Sequence, residues 1–96
     1  MSKTKYTVKP TAQFRKDYKL AVKQGRDMEL LQTVIADLAA GKTLPPDNRD
    51  HPLTGNWLGH RECHIQPDWL LLYRKRKDVL VLTLVRTGTH SDLLNK

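Results

Sequence analysis

Ninety-six residues allow one domain, 1–96, with a modest core, since a chain of this size buries only about 60–65% of its unfolded surface. Seventeen Lys and Arg against ten Asp and Glu leave a net charge of +7, which points to nucleic acid, an anionic membrane or an acidic protein as partner. A single cysteine excludes an intrachain disulfide and fits a reducing cytosol, and the longest apolar run, Trp69 to Tyr73, is far too short to span a bilayer.

The basic N-terminal stretch Met1-Ser2-Lys3-Thr4-Lys5 leads into no apolar region, so no signal peptide is expected and the location is cytoplasmic. Tyr6-Thr7-Val8 is a short strand ended by Pro10. Thr11 caps a helix whose buried stripe is Phe14, Tyr18, Ala21 and Val22, with Arg15, Lys16, Lys19 and Lys23 as a basic face and Gly25 as its stop. Asp27 caps a second helix, apolar at Met28, Leu31, Val34, Ile35 and Leu38 and ended by Gly41. The short link makes the two a hairpin that needs a sheet to cover.

Residues 42–57 read as a loop carrying the turn chemistry Pro45-Pro46-Asp47-Asn48 and Thr54-Gly55-Asn56, and a loop of that length in so small a domain is usually functional or mobile. Three strands come next, 59–65, 69–75 and 79–86, joined by Pro67-Asp68 and Arg76-Lys77-Asp78 as an antiparallel meander. In the last, Leu80, Leu82, Leu84 and Arg86 share one face, which carries a buried row to the sheet rim at Arg86. A short turn or helix covers Ser91 to Leu94. The expected class is α+β: a β-α-α-β-β-β order with a helical hairpin packed on one side of a small twisted antiparallel sheet, the other side partly open.

Three histidines lie in polar, turn-rich motifs: Asp50-His51-Pro52, His64-Ile65-Gln66-Pro67-Asp68-Trp69 and Thr87-Gly88-Thr89-His90. Imidazole moves protons near neutral pH. His64 shares strand parity with His60 and Glu62, opposite Cys63 and Ile65, so it points away from the main core. The adjoining turn can hold Asp68 within its reach. His90 follows a glycine turn at which the Thr87 and Thr89 hydroxyls can approach a phosphate. His51 lies mid-loop, and His60 has no motif around it.

Arg86, Arg61 and Arg74 are the cations nearest these histidines, and guanidinium groups stabilise the extra negative charge of a phosphorane-like state. Trp69 is balanced between stacking on an exposed base and packing in the core. Cys63 reads as a small buried apolar residue, not a nucleophile. Three His and Asp68 could ligate zinc, but neither HExxH nor CxxC spacing occurs, so neither metal nor cofactor is expected. Charge and imidazoles together point to a small enzyme acting on nucleic acid.

The blocks Asp50-His51-Pro52-Leu53-x-Gly55-x-Trp57, Gly59-x-Arg61-Glu62-x-His64-Ile65-x-Pro67-Asp68-Trp69-Leu70-Leu71-x-Tyr73 and Arg86-Thr87-Gly88-Thr89-His90-Ser91-x-Leu93, in that order, resemble the YafQ branch of the RelE/ParE-type toxins. The resemblance implies a RelE-like fold and the toxin half of a type II toxin–antitoxin system. It implies a ribosome-dependent endoribonuclease that cuts mRNA in the ribosomal A site without a metal, the substrate's 2′-hydroxyl attacking the adjacent phosphate. The active site would be His51, His64, Asp68 and His90, with Trp69 nearby and Arg86 as the transition-state cation. His64, held by Asp68, would be the base and His90 the acid. Arg15, Lys16, Lys19 and Lys23 would bind ribosomal RNA. The expected partners are an acidic antitoxin, mRNA on the ribosome, and operator DNA only through the antitoxin complex, with no membrane. Leu94 stands where the family often has an aromatic residue. Two other readings stay open: a non-catalytic inhibitor of the gyrase-poisoning ParE type, and a plain RNA-binding module.

Overall fold

The structure, a computed structural model, describes residues 4–94; residues 1–3 of the basic N-terminal stretch, residues 95–96 and the side chain of Leu94 lie outside it. The elements are β1 (Thr7–Pro10), α1 (Ala12–Lys23), α2 (Met28–Ala39), β2 (His51–Pro52), β3 (Arg61–Gln66), β4 (Trp69–Arg76), β5 (Val81–Gly88) and α3 (His90–Leu94). Single 3-10 turns at Pro46–Asn48 and Gly55–Trp57 flank β2. None of the described helices is long and apolar enough to cross a membrane.

Local chemistry fixes the helix ends. The Thr11 hydroxyl accepts the Phe14 N–H at 2.9 Å and donates to the Val85 carbonyl at 2.8 Å, so one side chain both starts α1 and ties it to β5. The Asp27 carboxylate accepts the Glu29 N–H and starts α2. Between them Gly25 takes φ +75°, which a side chain would disfavour. The stripe of α1 leans toward Asp17 and Ala21, both buried, leaving Val22 at its margin and half exposed, a correction to the expected stripe. The buried face of α2 is the expected one, Leu31, Val34 and Leu38, extended by Ala39.

The sheet order is β1-β5-β4-β3-β2. The meander β3-β4-β5 is antiparallel, as its tight turns demand, and β2 pairs antiparallel to β3. However, β1 lies parallel to β5, so the sheet is mixed, not wholly antiparallel. The helical hairpin separates β1 from the meander, and a connection that long imposes no reversal of direction. Trp69, Leu71 and Tyr73 of β4, Leu82 and Leu84 of β5 and Cys63 of β3 form the main core under the two helices. On the opposite face Leu70 and Leu72 build a second, smaller core with Leu93 of α3, and Leu53, Trp57 and Val85 pack against it. That face is therefore partly roofed by the 53–57 segment and α3.

The last strand differs from its alternating pattern in two ways. Val79 and Leu80 belong to the turn before it, Leu80 at φ +54° and both well exposed. Further on, the register slips: Tyr73 faces Leu84 but Leu72 faces Arg86, leaving Val85 as an extra residue. A bulge of this kind turns the next side chains to new faces. Arg86 leaves the Leu82–Leu84 row and joins Leu72 on the second face.

Burial pushes the Cys63 thiol up to about 12, aided by the charges of Asp50 and Glu62, and burial raises the Tyr73 phenol as well. Both groups keep their protons in the fold at a pH where the unfolded chain has lost them. Their contribution is thus complete below the ordinary thiol value near 9.0 and falls as pH climbs toward 12. The melting temperature should decline across that window, and iodoacetamide at pH 8 should label Cys63 only after unfolding. Ready alkylation of the native chain would contradict this burial.

Candidate active site

Three elements deliver one histidine each to the second face. His51 stands opposite Glu62 in the β2–β3 pair, and His64 lies two residues beyond Glu62 on β3, so strand alternation puts all three together. Asp50 anchors the incoming loop, its Oδ1 accepting the Tyr73 hydroxyl at 2.5 Å and the Arg61 Nε–H at 3.1 Å. Asn48 donates to the His64 carbonyl at 2.7 Å. The long 42–57 loop is thereby pinned to the sheet just ahead of His51, and the β2–β3 pairing holds it at His51 and Pro52.

His90 arrives from the far end of the chain as the first residue of α3. The Thr89 N–H donates to the Asp92 carboxylate, and the Asp92 N–H donates to the Thr89 hydroxyl, each at 3.2 Å. That reciprocal pair closes the first turn. Gly88 lets the helix fold back tightly, since a Cβ there would lie 3.2 Å from Asp92 Oδ2 and 3.3 Å from Leu93 Cδ2. Gly88→Ala is expected to shift α3 and, where His90 takes part in a reaction, to lower turnover by about 10²-fold, because misplacing a reacting group by about 1 Å costs that much. Unchanged turnover in an initial-rate assay would mean that α3 placement does not matter.

At the centre is Glu62. Its Oε1 lies 3.4 Å from His51 Nε2, 3.6 Å from His64 Nε2 and 3.5 Å from His90 Nε2. The His64 and His90 rings are 5.7 Å apart. Glu62 is 2% exposed, whereas the His51 and His90 side chains are 48% and 47% exposed and His64 is 14% exposed. A buried carboxylate is ringed by imidazoles, two of which open to solvent. His51 Nδ1 lies 3.2 Å from the Pro52 carbonyl and His64 Nδ1 lies 3.3 Å from the Pro67 carbonyl. A ring nitrogen bonds a carbonyl only when it carries a proton, so these contacts favour a proton on Nδ1 of each ring, with Nε2 turned toward Glu62. An imidazole that takes a proton there finds its countercharge already in place.

The remaining expected site residues divide between the cluster's surroundings and the core. Asp68 is exposed in its turn, and the carboxylate at His64 belongs to Glu62. Trp69 is fully buried on the helix side of β4, with the Arg26 guanidinium 5.3 Å from its ring centre, so it is a core residue and not a base-stacking platform in this conformation. The Thr87 hydroxyl is buried and donates to the Leu70 carbonyl, so it is not offered to a phosphate, whereas that of Thr89 accepts the Asp92 N–H as the cap of α3 and keeps its own O–H. Arg61 faces Tyr73 across the β3–β4 pair, on the helix side, and anchors Asp50. Arg74 is exposed opposite Thr83, beyond the end of β3. Arg86 lies in the cross-sheet row His51–Glu62–Leu72–Arg86 and forks onto Asp17 through Nε and Nη2 at 3.1 Å each. Arg15, Lys16, Lys19 and Lys23 are all exposed along α1, as expected.

Glu62 is the residue that sequence reasoning passed over. Its parity with His64 is visible, but glutamate is almost never fully buried unless paired, and pairing with His51 and His90 is set by the fold. The donor atoms of His51, Glu62 and His64 lie within 4.8 Å of one another, a nitrogen and oxygen set suited to a divalent ion such as zinc or copper. Glu62 takes the place in that set expected of Asp68.

The fold and site together define a small basic domain in which three imidazoles surround one buried carboxylate. Residues 6–95 match the family described as the bacterial toxin of type II toxin–antitoxin system, YafQ. The mRNA interferase toxin YafQ of Escherichia coli strain K12 is 44% identical over 84 residues, covering 86% of this chain and 89% of that protein. A chain in the crystal structure of the E. coli DinJ–YafQ toxin–antitoxin complex matches with a TM-score of 0.85 at 38% identity, covering 93% of this chain and 97% of its own. The crystal structure of a metal-bound toxin from Helicobacter pylori matches with a TM-score of 0.86 at 44% identity, covering 92% and 98%. This chain belongs to the YafQ family of type II toxins.

Proposed function

We propose that the chain is an endoribonuclease that cleaves mRNA in the ribosomal A site and so arrests translation. The carrying observation is the convergence of three imidazole Nε2 atoms on one buried carboxylate oxygen at 3.4–3.6 Å. RNA cleavage of this kind needs a base for the 2′-hydroxyl and an acid for the departing 5′-oxygen, and it yields a 2′,3′-cyclic phosphate. His64, whose Nε2 faces the cluster, is the base. His51, with the same Nδ1-to-carbonyl contact, stands beside it as a second proton carrier. His90 opens to solvent across from them and protonates the leaving oxygen. Arg86, in the same cross-sheet row, and exposed Arg74 supply positive charge at the rim. The cations of α1 bind ribosomal RNA, leaving orientation of the substrate to the A site. The E. coli relative's name, mRNA interferase, supports the same substrate.

The partner is a cognate antitoxin, as in the DinJ–YafQ complex, and the net charge of +7 favours an acidic one. Operator DNA is reached only through that complex, and the setting is the cytoplasm. A ParE-type inhibitor needs no such histidine centre, so this geometry favours the nuclease.

The test is to add the protein to ribosomes programmed with a defined mRNA and map the new 5′ ends. Cuts in the A-site codon, lost in His64→Ala and His90→Ala, support the nuclease. Intact mRNA with inhibited gyrase would support the ParE reading instead, and RNA binding indifferent to both substitutions a plain binding module.

A second reading of the same cluster is metal binding, favoured by the His51, Glu62 and His64 donor set and by the metal-bound toxin of H. pylori. A bound ion would occupy the Nε2 lone pairs that take protons, so metal and proton transfer compete. Cleavage is therefore expected to survive EDTA unchanged and to fall when zinc or copper is added. Loss of cutting in EDTA, restored by metal, would reverse that order.

A further inference from the structure

A second buried carboxylate lies outside the histidine cluster. Asp17 occupies the apolar stripe of α1 and is 8% exposed. A charge there is tolerated only when donors surround it. Four do: Arg86 Nε to Oδ2 and Arg86 Nη2 to Oδ1, each at 3.1 Å, the Thr87 N–H to Oδ2 at 3.2 Å, and Gln13 Nε2 to Oδ1 at 3.1 Å. Three of these donors belong to β5. Strand β1 pairs with β5 only as far as Leu84, so residues 85–88 of β5 extend past it, and α1 packs against β5. The bulge at Val85 turns Arg86 to the second face, and its guanidinium spans back to Asp17 on α1. Its remaining nitrogen, Nη1, donates to the Asp92 carbonyl of α3 at 3.4 Å. One arginine thereby straps α1 to the short helix that begins with His90.

We propose that Asp17 is a positioning residue for the acid–base centre, acting through Arg86 to set α3, and with it His90, against His64 and Glu62. The role in turnover rests on the nuclease reading; the role in geometry does not. A lone arginine has many rotamers, and the two-point fork onto a fixed carboxylate selects one of them. A cleft of about 290 Å³, lined in part by Lys16, Asp17, Arg86, Gly88 and Asp92, gives the guanidinium room to swing away once the fork is lost. A hydrophobic residue at position 17 would serve the core equally well, but it would leave Arg86 and the Thr87 amide without their acceptor.

Asp17→Asn keeps the size and removes the charge. The protein alone is read first by NMR. The nuclear Overhauser contact between the His64 and His90 rings, 5.7 Å apart at their centres, should weaken at least threefold, while contacts between His51 and His64 persist. On programmed ribosomes kcat should fall about 10- to 100-fold with KM within threefold, the pattern of a misplaced reacting group. Arg86→Lys, which keeps the charge but not the fork and leaves α1 untouched, should weaken the same contact and serves if Asp17→Asn does not fold. The double variant should lose no more than Arg86→Lys alone. An undisturbed His64–His90 contact in either folded variant overturns the proposal. If the wild type itself cuts no mRNA, the nuclease reading fails while the NMR result still decides what Asp17 does.

Discussion

Replacing His90 with alanine is expected to reduce mRNA cleavage by about 10²–10⁴ while leaving the fold intact, the usual worth of one positioned proton donor. The physical case is that His90 is dispensable for packing. Its side chain is 47% exposed, and its polar contact is with Glu62 at 3.5 Å. The features that hold α3 belong to its neighbours: the Thr89–Asp92 pair, the close approach at Gly88 and the burial of Leu93. Truncation therefore removes a proton carrier without opening a cavity, and helix propensity at the first position favours alanine slightly. Circular dichroism and melting should match the wild type, and the loss should appear in kcat more than in KM. His64→Ala should cost as much in rate. Being only 14% exposed, it should also lower the melting temperature by a few degrees. A His90→Ala protein that cuts at more than half the wild-type rate would remove His90 from the chemistry.

Glu62→Gln is the second substitution of large effect, and it should separate stability from function. The carboxylate is buried and faces three imidazoles. Burying a charge is costly, and imidazole nitrogens 3.4–3.6 Å away are long contacts that compensate only in part. The amide has the same shape without the charge, so the melting temperature should hold or rise. Turnover should nevertheless fall by about 10²-fold, because an imidazolium formed at His51 or His64 loses its countercharge and the three rings lose their common anchor. Stability gained while function is lost is the usual signature of an active-site group. The experiment pairs a thermal melt with initial-rate cleavage. A variant that is both less stable and fully active would make Glu62 an ordinary structural residue.

Much of this molecule was legible in its sequence because the signals are local. Thr11 and Asp27 mark helix starts by side chains that cap the next turn, and the turns at 67–68 and 76–78 force neighbouring strands to run antiparallel. The apolar stripe of α2 declares which way the helix faces. Alternation on β3 put Glu62 and His64 on one side and Cys63 on the other, and that division holds. The order of the motifs carried the family. The corrections arise where a residue's neighbour is far away in sequence. Strand parity turns Trp69 inward and Arg61 to the helix side once the helices cover that face. Thr87 spends its hydroxyl on the Leu70 carbonyl, and the parallel seat of β1 reflects a connection too long to impose direction.

The sequence by itself determined the order of β1, the two helices and the three-strand meander, the caps, the buried faces of most elements and the presence of three histidines in turn-rich motifs, since each depends on residues within a turn or two of one another, whereas the short strand β2 lay inside what read as a loop. Only the tertiary structure decided that Glu62, not Asp68, gathers those histidines, that a bulge at Val85 moves Arg86 onto their face, and that Asp17 meets it there. Periodicity counts residues along one chain segment. It carries no information on a one-residue slip between strands, nor on which distant donors meet a buried carboxylate, and those two events build this site.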